Sequence, residues 1–185
     1  MDYSDRYAFV DFTVTSESGL GRLERVVAEL ASQKTGEALR ADDFWLQYFT
    51  ECDRKKFWWP SAAQLELWNK FWFSTPLPQR HSPEMPAPSW DFGSMIDAIL
   101  DGEYGLVGVR KFDTESARLE IDPYAYPYGG MDALRMLVRC FGHTVTGFDD
   151  GTGFASGDPQ SPPWNENMPP FMPKKPSLWD RLKSR

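Results

Sequence analysis

Between positions 7 and 14 the chain reads YAFVDFTV, a run of aromatic and β-branched residues that predicts a buried first strand. Ser16 and Ser18 follow as N-cap candidates. Leu20, Leu23, Val26, Val27 and Leu30 then recur at helical spacing, which predicts an amphipathic helix to about Gln33. A second patterned block starts at Tyr104. Residues 104–112 and 117–124 flank the polar loop 113–116 and predict a hairpin. Within it Leu119 and Ile121 alternate with Arg118, Glu120 and Asp122, so one face belongs to a core and the other to solvent. After Gly129-Gly130, the residues Met131, Leu134, Leu137, Val138 and Phe141 share one side of a helix, and Gly142 stands where a left-handed C-terminal cap belongs. Residues 143–148 predict a last strand, ended by Asp149-Asp150-Gly151. The order is β-α, an insert, then β-β-α-β. Without the insert this is the split βαβ order, so the expected fold is α+β, with a ferredoxin-like sheet.

The insert, about 34–103, is aromatic-rich and mostly helical in pattern. Trp45, Trp58, Trp59, Trp68 and Trp72 fall within it. Residues 43–50 (DFWLQYFT) suit a strand or a short helix, and periodicity does not decide between them. Ser61 and Gln64 form a capping box ahead of Leu65, Trp68, Phe71 and Trp72. A proline-rich loop follows, and then Ser89 is placed to cap a helix that turns Met95, Ile96, Ile99 and Leu100 inward and ends at Gly102. From 155 onward seven prolines in 31 residues predict an extended tail. Its Trp164, Phe171 and Trp179 would dock on the body or on a partner. The expected organisation is one domain, 1–154, and a proline-rich tail, 155–185.

Charge changes this picture more than bulk composition does. The 185 residues hold 27 acidic and 20 basic side chains, and 41% are hydrophobic, enough for a core. The last fourteen residues, MPKKPSLWDRLKSR, carry +4. Positions 1–171 therefore hold 15 basic against 26 acidic residues, a net −11. Such a surface repels phosphate backbones and attracts basic partners, so nucleic acid is not expected as a ligand. No apolar run approaches the ~20 residues that span a bilayer, and the acidic N-terminal residues do not read as a secretory signal. A cytoplasmic protein without a membrane partner is expected.

The search for chemistry yields weak candidates. Cys52 and Cys140 are too few for a disulfide framework, and His81 and His143 too few for an imidazole metal site, so neither metal nor cofactor is expected. Cys140, His143 and Asp149 or Asp150 could compose a nucleophilic constellation, but Cys140 shares its helix with Leu137 and Phe141 and reads as an apolar filler. A cation loop starting at Asp149 fails because Gly151, Gly153 and Gln160 occupy ligand places. Glu120 and Asp122 share a strand face, where solvation explains them without catalysis. Gly129-Gly130 could expose N–H groups to an anion, or simply let the chain turn into the helix.

The segments GEYGLVGV (102–109), LEIDP (119–123) and YPYGG (126–130), with the FG at 141–142, make the chain resemble small immunity proteins of bacterial polymorphic-toxin systems. The shared features are a Gly-acidic-Tyr entry to a strand and a proline-flanked Gly-Gly turn into a helix ending Phe-Gly. The resemblance implies a role in binding a co-produced toxin and blocking its active site; it carries over no inhibitory residue. An acidic surface with aromatic anchors suits the same role, a non-catalytic binder of a basic protein. Eight tryptophans exceed what such a core needs, so two or three should be accessible. The expected contact residues are Asp42, Asp43, Trp45, Asp149, Asp150 and Trp164. Two alternatives stand beside this. One is a small-molecule module, or an enzyme using Glu120, Asp122 or Cys140, with a pocket between sheet and aromatic helices. The other is a structural subunit of a larger assembly, held by its tail.

Overall fold

The computed structural model describes residues 7–36, 40–124, 129–160 and 163–167. In chain order the elements are β1 (Ala8–Thr13), α1 (Glu17–Lys34), α2 (Asp42–Leu46), α3 (Glu51–Arg54), α4 (Ala62–Ser74), α5 (Leu77–Arg80), α6 (Phe92–Asp101), β2 (Tyr104–Lys111), β3 (Ser116–Pro123), α7 (Met131–Cys140), β4 (Thr144–Asp149) and β5 (Phe154–Ser156). The protein is α+β, with one five-stranded antiparallel sheet in the order β2-β3-β1-β4-β5. Two compact units divide the chain: Met1–Trp59 with Ser89–Pro159, and Pro60–Pro88 with Gln160–Arg185. The insert is therefore not one block, since α2, α3 and α6 belong to the first unit and α4 and α5 to the second. Among the described residues no helix is long and apolar enough to cross a membrane.

In the first unit, alternation along β1 sends Ala8, Val10 and Phe12 to one face. Their register partners on β3, Ile121, Leu119 and Ala117, share it. Leu20, Leu23, Val26, Val27 and Leu30 of α1 close over this face with Met95, Ile96 and Ile99 of α6 and Leu134, Leu137 and Val138 of α7. Ser16 is the N-cap of α1, its hydroxyl accepting from Gly19 N–H at 3.2 Å. Gly19 must be glycine because a Cβ there would lie 2.6 Å from the Phe141 carbonyl oxygen. Gly130 begins α7 at a φ of 78°, the left-handed region, which fits a tight turn into the helix.

Several expectations need correction. Residues 43–50 open as a helix, α2, whose end is closed by Arg54 donating to the carbonyls of Leu46 (2.6 Å) and Phe49 (3.1 Å). The N-cap of α6 is Asp91 rather than Ser89; its carboxylate accepts from Ser94 N–H at 3.0 Å. The outward face of β3 is not simply solvated. Glu120 is 4% exposed because Arg110 of β2 pairs with it at 3.0 Å. Beside it Arg118 grips Asp11 through two bonds of 2.7 and 2.9 Å and stacks over Phe9. The strand ending at Asp149 is not the last, for β5 turns back onto β4 across the 154/155 boundary. Phe154 covers Gly147, where a Cβ would lie 2.5 Å from its ring. Beyond β5, Asp158 is held by Arg135 (3.1 Å) and Arg139 (3.3 Å) of α7. The docking expected of Phe171 and Trp179 lies outside the described residues.

Four basic side chains bind helix C-termini. Lys34 donates to the carbonyls of Ile99, Leu100 and Gly102 at 2.7 to 2.9 Å, closing α6, with its ammonium 4.4 Å from the Tyr104 ring centroid. Burial pulls its pKa down while Asp101 holds it up. Lys56 binds Arg139 and Cys140 carbonyls at the end of α7 (3.2 and 3.0 Å), and Arg80 binds those of Thr75 and Phe73 at the end of α4. Arg54 does the same for α2. Each satisfies carbonyls that a helix leaves without partners and opposes the negative end of its dipole. Replacing Lys34 by Met keeps the apolar stem and leaves three carbonyls short of donors. Stability should fall by about 2 kcal/mol, the scale of charged hydrogen bonds. Urea denaturation of Lys34→Met against the parent checks this, and an unchanged midpoint would refute it.

Candidate functional site

The groups that could have composed a nucleophilic site are enclosed. Cys140 is buried, its thiol donating to the Leu137 carbonyl at 3.0 Å, and burial pushes its pKa well up. A thiolate nucleophile needs the opposite setting. The His143 ring is buried too, stacked on Phe12 with centroids 5.2 Å apart, and its Nδ1 accepts from Thr15 N–H at 3.3 Å. Burial lowers its pKa, and Lys56 and Arg22 act the same way, against a bond to the Gly19 backbone. Neutral imidazole is thus the folded form. Because the unfolded chain takes up a proton first, this contribution to stability is complete above the unfolded pKa of about 6.5. It is lost as pH falls through the lower folded value. Stability measured by urea titration should decline as pH falls below about 6.5, and His143→Gln should flatten that decline. The same slope in both proteins would exclude His143 as its source.

Open carboxylates gather instead along α2 and α6. Asp42 and Asp43 occupy the first turn of α2, Asp91 caps α6, and Asp97 and Asp101 lie further along it. Asp42 reaches the first turn of α6, where its Oδ2 would be 3.2 Å from a Cβ on Gly93. The carboxyl of Asp97 is held above its usual range, first by partial desolvation and then by Asp101, Asp42 and Asp91. At the start of α6, Phe92 stacks against Trp59 with centroids 6.1 Å apart. The Trp59 indole N–H is tied to the Arg54 carbonyl at 2.9 Å while 55% of the residue stays exposed. An open, oriented tryptophan beside a run of carboxylates that make no ion pair among the described residues is the candidate site.

Of the residues expected to make contact, Asp42 and Asp43 fall in this group. Trp45 does not: it is 0% exposed, in the core, because the short helix α2 turns it inward between Phe44 and the sheet-facing apolar residues. As a core side chain it has no surface to offer a partner. Asp149 and Asp150 stand at the β4–β5 turn. Asp149 accepts from the N–H groups of Gly151 and Gly153, and Asp150 from the Thr152 hydroxyl at 2.6 Å and its N–H at 3.0 Å. These bonds, the hydroxyl first, hold the Asp150 carboxyl below its usual range. Both aspartates thus shape the turn, and among the described residues no hydrogen bond or ion pair joins them to Asp42 and Asp43. Trp164 belongs to the second unit. It is half-buried, edge-on to Trp68 of α4 at 5.7 Å, with its N–H on the Ala87 carbonyl at 3.1 Å.

Sequence reasoning missed Trp59 as the open tryptophan and Asp91, Asp97 and Asp101 as one group. A signal was present: no Lys or Arg lies between Arg80 and Arg110, while five carboxylates do. Among the described residues no cluster of three or more His, Cys, Asp or Glu is arranged to hold a metal ion. Comparison with protein-family models, with curated proteins and with solved structures finds no match.

Mutual repulsion gives the group a measurable signature. Removing one charge by Asp97→Asn should stabilise the protein at neutral pH, by only ~0.5 kcal/mol because solvent screens exposed charges. The gain should shrink in 1 M salt. Loss of stability in the same urea assay would mean that Asp97 has a structural partner.

Proposed function

We propose that this chain is a non-catalytic binding protein, an immunity-type inhibitor that neutralises a cognate basic bacterial toxin in the cytoplasm. Its contact surface is Trp59 bordered by Asp42, Asp43, Asp91, Asp97 and Asp101. The observation that carries the reading is the disposition of charge. Among the described residues no ion pair joins a Lys or Arg to the carboxylates on α2 and α6, although Lys34, bound to the carbonyls that end α6, acts electrostatically on Asp101. Such a field speeds encounter with a cationic partner, and a held tryptophan supplies the apolar anchor such interfaces use. The enclosed Cys140 and His143 support a binder over a hydrolase. The connection β1-α1-β2-β3-α7-β4, with β3 between β1 and β2, supports a ferredoxin-like reading of the sheet with β5 added at one edge.

The test is capture from the native host by tagged chain, run in parallel with an Asp42→Lys, Asp97→Lys variant. One basic protein should be retained in equimolar amount, less at moderate salt than at low salt. The variant should retain at least tenfold less, and co-production of the parent chain should relieve the captured protein's toxicity. Capture that ignores both salt and the variant, or a captured protein without toxicity, would end this reading. One observation favours the second reading, a subunit of a larger assembly: Leu65, Leu67, Phe73 and Leu77 stand exposed in the second unit.

A further inference from the structure

The sheet of the first unit has two faces, and helices α1, α6 and α7 cover the one that carries Val10, Leu119 and Val145. On an antiparallel sheet packed on one side, the other face is ordinarily polar and solvated. Here that alternation is broken by aromatic rings. Phe9 of β1, Phe112 just past the end of β2 and Phe154 of β5 lie on the outer face with Asp11 and Arg118, and Phe154 covers the outer side of Gly147. Phe9 is half-buried, whereas Phe112 and Phe154 are 53% and 60% exposed. The rings are contiguous. Phe154 stacks on Phe9 with centroids 6.3 Å apart. The Arg118 guanidinium lies 3.4 Å from the Phe9 centroid and 5.4 Å from that of Phe112. Phe154, Phe9, Arg118 and Phe112 thus form one row across the sheet.

We propose that a second copy of this chain covers the outer face, sheet against sheet about a two-fold axis. The row selects this occupant because it is self-complementary. A two-fold axis in the plane of the face and perpendicular to the row reverses its order. Phe154 of one copy then meets Phe112 of the other, and Phe9 meets Arg118. Every pairing is aromatic with aromatic or cation with aromatic. Charge points the same way. With 27 acidic against 20 basic residues, two copies repel each other wherever carboxylates stand unpaired. Along the row the one cation, Arg118, is matched in place by Asp11, and Glu120 beside it is paired with Arg110. Size is sufficient as well. Five strands about 4.8 Å apart and mostly six to eight residues long give roughly 500 Å² in plan. Side-chain relief adds to this, which brings the face to the scale of the about 800 Å² per partner that stable interfaces bury. Helix α6 packs on the opposite side of the sheet, so the inference does not depend on the toxin-binding reading.

The experiment begins with sedimentation equilibrium of the full chain over a range of concentrations. The expected species has twice the 21.2 kDa of one chain, and a monomer at every concentration would overturn the proposal. Phe112→Asp should weaken the dimer by about tenfold or more, the scale for losing a buried aromatic anchor. Phe73→Asp, at an exposed position of α4 in the second unit, should leave it intact. A dimer that survives Phe112→Asp, or that Phe73→Asp breaks instead, lies elsewhere on the molecule and overturns the proposal. The pairing itself is read with the photo-crosslinker p-benzoyl-phenylalanine in place of Phe112, in an equilibrated mixture of isotopically light and heavy chains. Crosslinks to the neighbourhood of Phe154 that join light to heavy chains are expected. Crosslinks within one chain only would show that the chain covers its own face, and either that result or no crosslink at all would overturn the proposal.

Discussion

The carbonyl ends of the helices organise this protein. A helix finishes with carbonyl groups that its own backbone cannot satisfy, and for α6 and α7 the donors come from far along the sequence. Lys34, at the end of α1, serves α6 some 65 positions away. Lys56 serves α7 from the far side of the insert. The Lys34 bonds join α1 to α6, and the Lys56 bonds join the residues after α3 to α7, in addition to the apolar burial they share.

The excess of acid over base in the sequence, and where the ion pairs fall, shape the acidic surface. Elsewhere several guanidinium groups are paired: Arg118 with Asp11, Arg110 with Glu120, Arg22 with Asp53, Arg40 with Glu29, and Arg135 and Arg139 with Asp158. Along α2 and α6 no such pairing occurs among the described residues, and the carboxyl of Asp97 responds by binding its proton more tightly. Retained repulsion of this kind costs stability, and sites of function are where proteins keep it. Trp59 fits the same logic. It is oriented by its bond to the Arg54 carbonyl, so little freedom is lost when its exposed face is covered.

Local pattern made much of the fold legible. The first strand and α1, the β2-β3 hairpin, α7 with Gly142 after it, and the capping box of α4 follow from period, caps and turn residues that act over a few positions. The N-cap of α6 lies two residues past the expected Ser89: Ser89 and Asp91 are equally good caps by type, and it is Asp91 that has the extended backbone ahead of the helix and accepts from Ser94 N–H. Trp45 was placed at the surface because an aromatic beside two aspartates fits a rim as well as a core. The burial of Glu120 and the pairing of β5 were illegible for a related reason. Each depends on a neighbouring strand, Arg110 from β2 in one case and Gly147 beneath Phe154 in the other.

By itself, the sequence determined the α+β class, the order of most of its elements, the excess of acid over base, and the capped aromatic helix at 62–74. These are properties of composition and of periods a few residues long. Tertiary structure alone decided which carboxylates stay unneutralised, which tryptophan remains open, and which side chains close the helices. Those outcomes depend on whether a cation tens of residues away reaches a carbonyl or a carboxylate, and only the folded chain fixes that distance.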